Sequence, residues 1–194
     1  MIETMRTALG FRAHSGWAAM VVVAGSPGDP RVLERRRTIT ADPRIPGAKQ
    51  PYHAAADLPL SAAETLVANA MASSRALAFE GISGVVELLR TQGHEVAGCG
   101  IVLASGRALP GLAEILASHA LIHTAEGEMF REILAWAAGQ CAIPVFGLRE
   151  KEIADSSVAG IASLGKRIGP PWTLDQKYAT LAGLAALAAT RDWE

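Results

Sequence analysis

The chain predicts an α/β fold in which three antiparallel strands lead and strand–helix alternation follows. Three observations carry this. The first third, Thr7 to Thr40, holds extended segments joined by short polar turns. From Ser61 onward, helix-length amphipathic stretches alternate with short continuous apolar runs. Half of the 194 residues are apolar, enough for one buried core, so residues 1–194 are expected to form one domain.

The first strand is read around Gly10-Phe11-Arg12-Ala13, and His14-Ser15-Gly16 turns the chain. The run Ala18 to Ala24 is valine-rich and too short for an independent helix, so it is the second strand. Gly25-Ser26-Pro27-Gly28-Asp29-Pro30 forces another turn. In the third strand Val32, Glu34 and Arg36 point to one face and Leu33, Arg35 and Arg37 to the other. Neither face is cleanly apolar, which predicts an edge position. Asp42 to Pro59 contains Pro43, Pro46, Pro51 and Pro59 and reads as an irregular connection.

Ser61 and Glu64 match a capping box, and the helix they open extends to about Arg90 on a stripe of Leu66, Ala70, Leu77, Val85, Leu88 and Leu89. Gly81 and Gly84 allow a kink within it. Glu95 to Ala104 is a buried central strand bounded by glycines. Pro110 to Ser118 is a short helix, and Thr124 is read as the N-cap of the next one, with Glu126 and Glu128 in its first turn. Ile143 to Leu148 is a strand, and Lys151 to Ile168 a helix stopped by Gly169-Pro170-Pro171. Thr173 and Gln176 form a second capping box, opening a helix striped by Leu174, Tyr178, Leu181, Ala185 and Ala188.

This order resembles the ribonuclease H-like superfamily, and the stretch from Val145 to Ala179 is similar to the last third of RuvC-type members. The resemblance implies a three-layer α/β fold: a mixed sheet with helices on both faces. It also implies three or four carboxylates around two divalent cations, which need hard oxygen ligands. Most of them are missing. Arg12 stands where the first strand would carry an aspartate. The central strand ends Val102-Leu103-Ala104-Ser105 without an acid. Asp175 matches one of the last pair, and Tyr178 replaces the other. Standard two-metal nuclease activity is therefore not expected, no metal site is assigned, and no cofactor is expected. No Gly-x-Ser-x-Gly, Cys-x-x-Cys or Walker sequence occurs.

The remaining polar groups form a few clusters. Arg12, His14 and Ser15 at the first turn are either a solvated hairpin or an anion site, since a guanidinium suits phosphate or carboxylate. Arg149 and Lys151 follow a strand end, where open α/β sheets build binding sites, and join them as ligand-binding candidates. His119 and His123 share a face whether the segment is helical or extended. With Glu126 and Glu128 they offer a metal site or an acid–base pair, the replaced catalytic site that makes a nuclease-like hydrolase the alternative to a binding module. Two histidines without a fixed third ligand point first to a strand-to-helix junction whose histidines bond to backbone. Lys166 and Arg167 beside Trp172 offer charge and stacking to a nucleic-acid strand, or else a helix end closed by a packed tryptophan.

The net charge of −1 leaves no global electrostatic footprint, so nucleic-acid binding needs a local basic patch. The partners considered are a nucleic acid, a small anion and a second copy of the chain. A membrane is not expected, because no apolar run reaches the length of a spanning helix. The first twenty residues lack the apolar core of a signal peptide, and Cys99 and Cys141 read as buried thiols, so a soluble cytoplasmic protein is expected.

Overall fold

The three leading strands form antiparallel hairpins: β1 (Arg6–His14), β2 (Trp17–Ser26) and β3 (Asp29–Ile39). The computed structural model describes residues 4–104, 106, 108–153 and 155–190, so Ser105 lies outside the described residues. Gly16 closes the first hairpin at φ 80°, a conformation that costs glycine no Cβ clash. β4 (Glu95–Leu103) pairs parallel with β1, and β5 (Val145–Arg149) pairs parallel with β4. The sheet order is β3-β2-β1-β4-β5, with β3 at an edge as its mixed faces predict.

Helices cover both faces. On one side lie α1 (Pro51–Ala55), α2 (Leu60–Thr91), α3 (Leu112–Leu116) and α4 (His119–Gln140). They bury Leu9, Phe11, Met20, Val22 and Ile101 of the sheet against Ile82, Val85, Leu89, Met129, Phe130 and Ile133. The other face carries α7 (Leu174–Ala189), packed on Ala8, Val21, Val23 and Ala97. A 3-10 turn (Glu150–Glu152), α5 (Asp155–Gly160) and α6 (Leu164–Ile168) connect β5 to α7.

Several local expectations are corrected. α2 starts at Leu60 after Pro59, and Ser61 makes no capping bond, because proline already ends the preceding segment. α2 runs unbroken through Gly81 and Gly84. Ala70, Val85 and Leu89 of the expected stripe are buried, Leu88 is exposed, and Ala63, Val67, Ser74, Ala78, Ile82 and Val86 complete the face. Its first half is mostly small residues, and a Cβ on Gly81 would come within 3.0 Å of Thr38 Cγ2. The connection before α2 contains α1, which a proline at its start and five residues of length concealed. Thr124 is inside α4, not its N-cap, and its hydroxyl donates to the carbonyl of Ala120. The stretch from Lys151 to Ile168 is divided among the 3-10 turn, α5 and α6.

The second capping box forms as expected: the Gln176 amide donates to Thr173 Oγ1, and the Thr173 amide to Gln176 Oε1. The predicted stripe of α7 is on the wrong side, however. Leu174, Ala185 and Ala188 are exposed, and Ala179, Ala182, Gly183, Ala186 and Leu187 face the sheet. α7 is apolar nearly all round, so periodicity selects no face. Close approach selects it instead: a Cβ on Gly10 would fall 1.8 Å from the Ala179 carbonyl oxygen, and one on Gly100 1.9 Å from that of Ala182.

Candidate functional site

Alternation along β1 sends Leu9 and Phe11 to the α2/α4 side and Gly10, Arg12 and His14 to the α7 side. α7 begins beside the C-terminal end of β1, so Asp175 and Tyr178 in its first turns meet Arg12 and His14. The Arg12 guanidinium makes a paired contact with Glu150, which follows β5: Nη1 donates to Oε2 at 2.5 Å and Nη2 to Oε1 at 3.0 Å. Its Nε lies 3.9 Å from Asp175 Oδ1, and its Cζ stands 5.2 Å from the Tyr178 ring centre. His14 Nε2 lies 3.0 Å from the same Asp175 oxygen, off the line of a well-formed hydrogen bond, so this contact is one of proximity. All four side chains are part-exposed, which screens the Arg12 pairs. A guanidinium, an imidazole and two carboxylates thus close the corner among β1, β5 and α7.

The same sheet face continues toward its edge. The His14 ring stacks on Trp17 with centres 4.3 Å apart and planes 12° from parallel. Arg37 of β3 places its guanidinium 4.0 Å from the Trp17 ring centre, and its side chain is exposed. In register, Arg12, Ala19 and Arg37 form one row, and His14, Trp17 and Ile39 the next. The small, buried Ala19 stands between the two arginines. Arg35, one row further down, donates to the carbonyls of Ile168, Gly169, Pro170 and Pro171, tying β3 to the turn before α7.

A second cluster lies at the same end of the sheet, on the α1 and α4 side. His119 and His123 are one helical turn apart on α4 and face each other, Nε2 to Nε2 at 3.0 Å. His53 of α1 joins them, its ring centre 5.3 Å from His119 and 4.6 Å from His123. Glu126, only 2 % exposed, holds the His53 backbone amide through Oε1 at 3.2 Å, and its Oε2 lies 3.0 Å from Nδ1, off the line of a well-formed hydrogen bond. Burial, with Glu132 and Glu126 nearby, pushes the Tyr52 hydroxyl above its ordinary pKa. Glu128 points elsewhere, to Arg131 Nε at 2.5 Å.

The chain matches no protein-family model, and no curated protein matches it. Solved structures do. Thermus thermophilus RuvC in complex with a Holliday junction substrate superposes with a TM-score of 0.54, at 12 % identity over 97 % of this chain and 95 % of that one. This chain has the RuvC-like layout of the ribonuclease H fold. A second Thermus thermophilus RuvC structure agrees, with a TM-score of 0.51 at 13 % identity over 96 % of this chain and 95 % of that one. No described helix is long and apolar enough to cross a membrane.

On this RuvC-like frame the predicted residues separate into two groups. Arg12 and His14 converge with Asp175 and Tyr178, whereas Ser15 is an exposed turn residue, and Arg149 and Lys151 are exposed on either side of Glu150. His119, His123 and Glu126 converge, and Glu128 does not. Trp172 packs against Gly165 and donates its indole N–H to the Ile161 carbonyl at 3.2 Å, so it serves as a lid on α6. Sequence reasoning missed Trp17, Arg37 and His53, and chose Arg149 and Lys151 rather than Glu150 between them. Trp17 and Arg37 could be found by writing out the register of the leading hairpins. His53 carried no signal, because its partners lie some seventy residues away in sequence.

Proposed function

We propose that the protein is a RuvC-like binding module for nucleic acid that works without two-metal nuclease chemistry. The observation that carries this reading is Arg12. Its guanidinium lies in the corner where the fold's resemblance calls for cation-binding carboxylates, and it engages Glu150 and approaches Asp175. A fixed positive charge there offsets the acids and repels divalent cations. Two acids already engaged by arginine and histidine make a poor oxygen cage for two metals.

The sheet face beside this corner supports a phosphate backbone as ligand. Arg37 and Arg12 lie to either side of Ala19, and the next row carries Trp17, against which both His14 and Arg37 pack. Charge plus stacking suits a single strand without sequence preference. The Holliday junction complex of Thermus thermophilus RuvC concerns that protein; here it motivates including a four-way junction among the probes.

The test is fluorescence anisotropy with labelled single-stranded, duplex and four-way junction DNA, at rising salt and in EDTA. Binding is expected without Mg²⁺ and weakens with salt. Arg37→Ala should lower the salt slope by about 1, and Trp17→Ala should cost about 1–3 kcal/mol of affinity for single strands. Cleavage of any probe on adding Mg²⁺ or Mn²⁺, or no binding at low salt, overturns the proposal.

A further inference from the structure

We infer that His53, His119 and His123 form a binding site for a single zinc-like transition-metal ion. The site lies on the opposite face of the sheet from the Arg12 corner and goes beyond the nucleic-acid reading. Three imidazoles, one from α1 and two from α4, each bring one ring nitrogen within 4.8 Å of the others. In a tetrahedral zinc site, ligand nitrogens at 2.0–2.1 Å from the ion are about 3.3 Å apart. The 3.0 Å between Nε2 of His119 and Nε2 of His123 is close to that spacing. His119 and His123 are exposed, and turning their rings by about an ångström brings the set to it.

Glu126 is the independent observation. A carboxylate buried to 2 % exposure needs partners, and Glu126 takes the His53 amide through Oε1 and sets Oε2 3.0 Å from the His53 ring Nδ1, off the line of a well-formed hydrogen bond. With a metal on Nε2, a proton on Nδ1 would face this carboxylate and give the buried ring nitrogen the partner it lacks in this arrangement. A carboxylate behind a histidine, setting its tautomer and ring orientation, is how proteins prepare a metal ligand. Three packed imidazoles without an ion satisfy one another poorly, because the close pair shares a single proton and the third meets them only ring to ring.

Nitrogen ligands suit zinc, copper, nickel or cobalt rather than magnesium. Exposure of two of the three ligands leaves a fourth coordination position open to water, the arrangement of hydrolytic rather than structural zinc.

The experiment is titration of the metal-stripped, full-length protein with Zn²⁺ by calorimetry and with Co²⁺ by visible absorption. One equivalent is expected, with the intense visible bands of four-coordinate Co²⁺. His119→Ala and His123→Ala should abolish those bands, and because both residues are exposed the metal-free melting temperature should stay unchanged. Glu126→Gln acts as a positioning change: it should weaken Zn²⁺ by about 10–100-fold while keeping the Co²⁺ spectrum. His94→Asn, at the distant start of β4, should bind as the unaltered protein does. Absence of binding, weak octahedral Co²⁺ bands, or equal Zn²⁺ affinity in the His119→Ala/His123→Ala double variant overturns the site. DNA binding in EDTA is read separately, so failure of one proposal leaves the other standing.

Discussion

Arg12 shows how one side chain can redirect a site. Its paired contact with Glu150 and its approach to Asp175 turn a corner of acids into a balanced group of charges. Glu126 is the converse case: a buried carboxylate with one oxygen on the His53 backbone amide and the other beside its ring nitrogen. The cysteines differ by the same logic of environment. Both are free thiols, but only Cys99 is buried; Cys141 is half-buried at the end of α4, contrary to the expectation from its apolar neighbours. Complete burial, with Cys141 nearby, pushes the Cys99 thiol up to about 12. Burial also raises Cys141, offset by Arg90. Since the thiolate is the reactive form, a disulfide reagent should titrate one thiol in the native protein and two in denaturant, and Cys141→Ser should remove the native one. Two native thiols reacting at equal rates would contradict this burial.

At the level of elements, glycines separate close packing from mere tolerance. A Cβ on Gly100 would sit 1.9 Å from the Ala182 carbonyl oxygen and 2.2 Å from its carbon, so Gly100→Ala must push α7 off the sheet. The expected loss is about 3 kcal/mol or more, measured by urea unfolding, or failure to fold. Gly84 lies in the exposed interior of α2 with nothing within 4 Å of a built Cβ. Gly84→Ala should therefore raise stability by about 0.4–1 kcal/mol. Equal effects at the two positions would contradict the close contact of Gly100 with α7. The clasp of Arg35 on four carbonyls before α7 has a positioning role at this scale, because α7 carries Asp175 and Tyr178 into the corner.

Across the whole molecule, both candidate sites lie at the end of the sheet where the parallel strands β1, β4 and β5 terminate, one on each face. Strand C-termini gather loops and helix starts there, the usual place for sites in α/β sheets. A ligand that binds only the native state raises the melting temperature. Mg²⁺ should leave it unchanged, whereas Zn²⁺ should raise it in the unaltered protein and not in His123→Ala. A clear Mg²⁺-dependent rise would restore the two-metal reading of the corner.

The order of elements along the chain, the edge position of β3, the second capping box and the sharing of one face by His119 and His123 were legible because they depend on neighbours within a few residues: alternation, turn chemistry and helical spacing. The resemblance to the RuvC layout rested on the same local order. Only tertiary structure decided which side of α7 is buried, because that depends on how closely its backbone approaches Gly10 and Gly100. It also brought Glu150 to Arg12 and His53 to His119, pairs separated by dozens of residues. Local chemistry determines elements and their order; which side chains meet is determined by packing the two helical layers onto one twisted sheet, and no single stretch of chain contains that information.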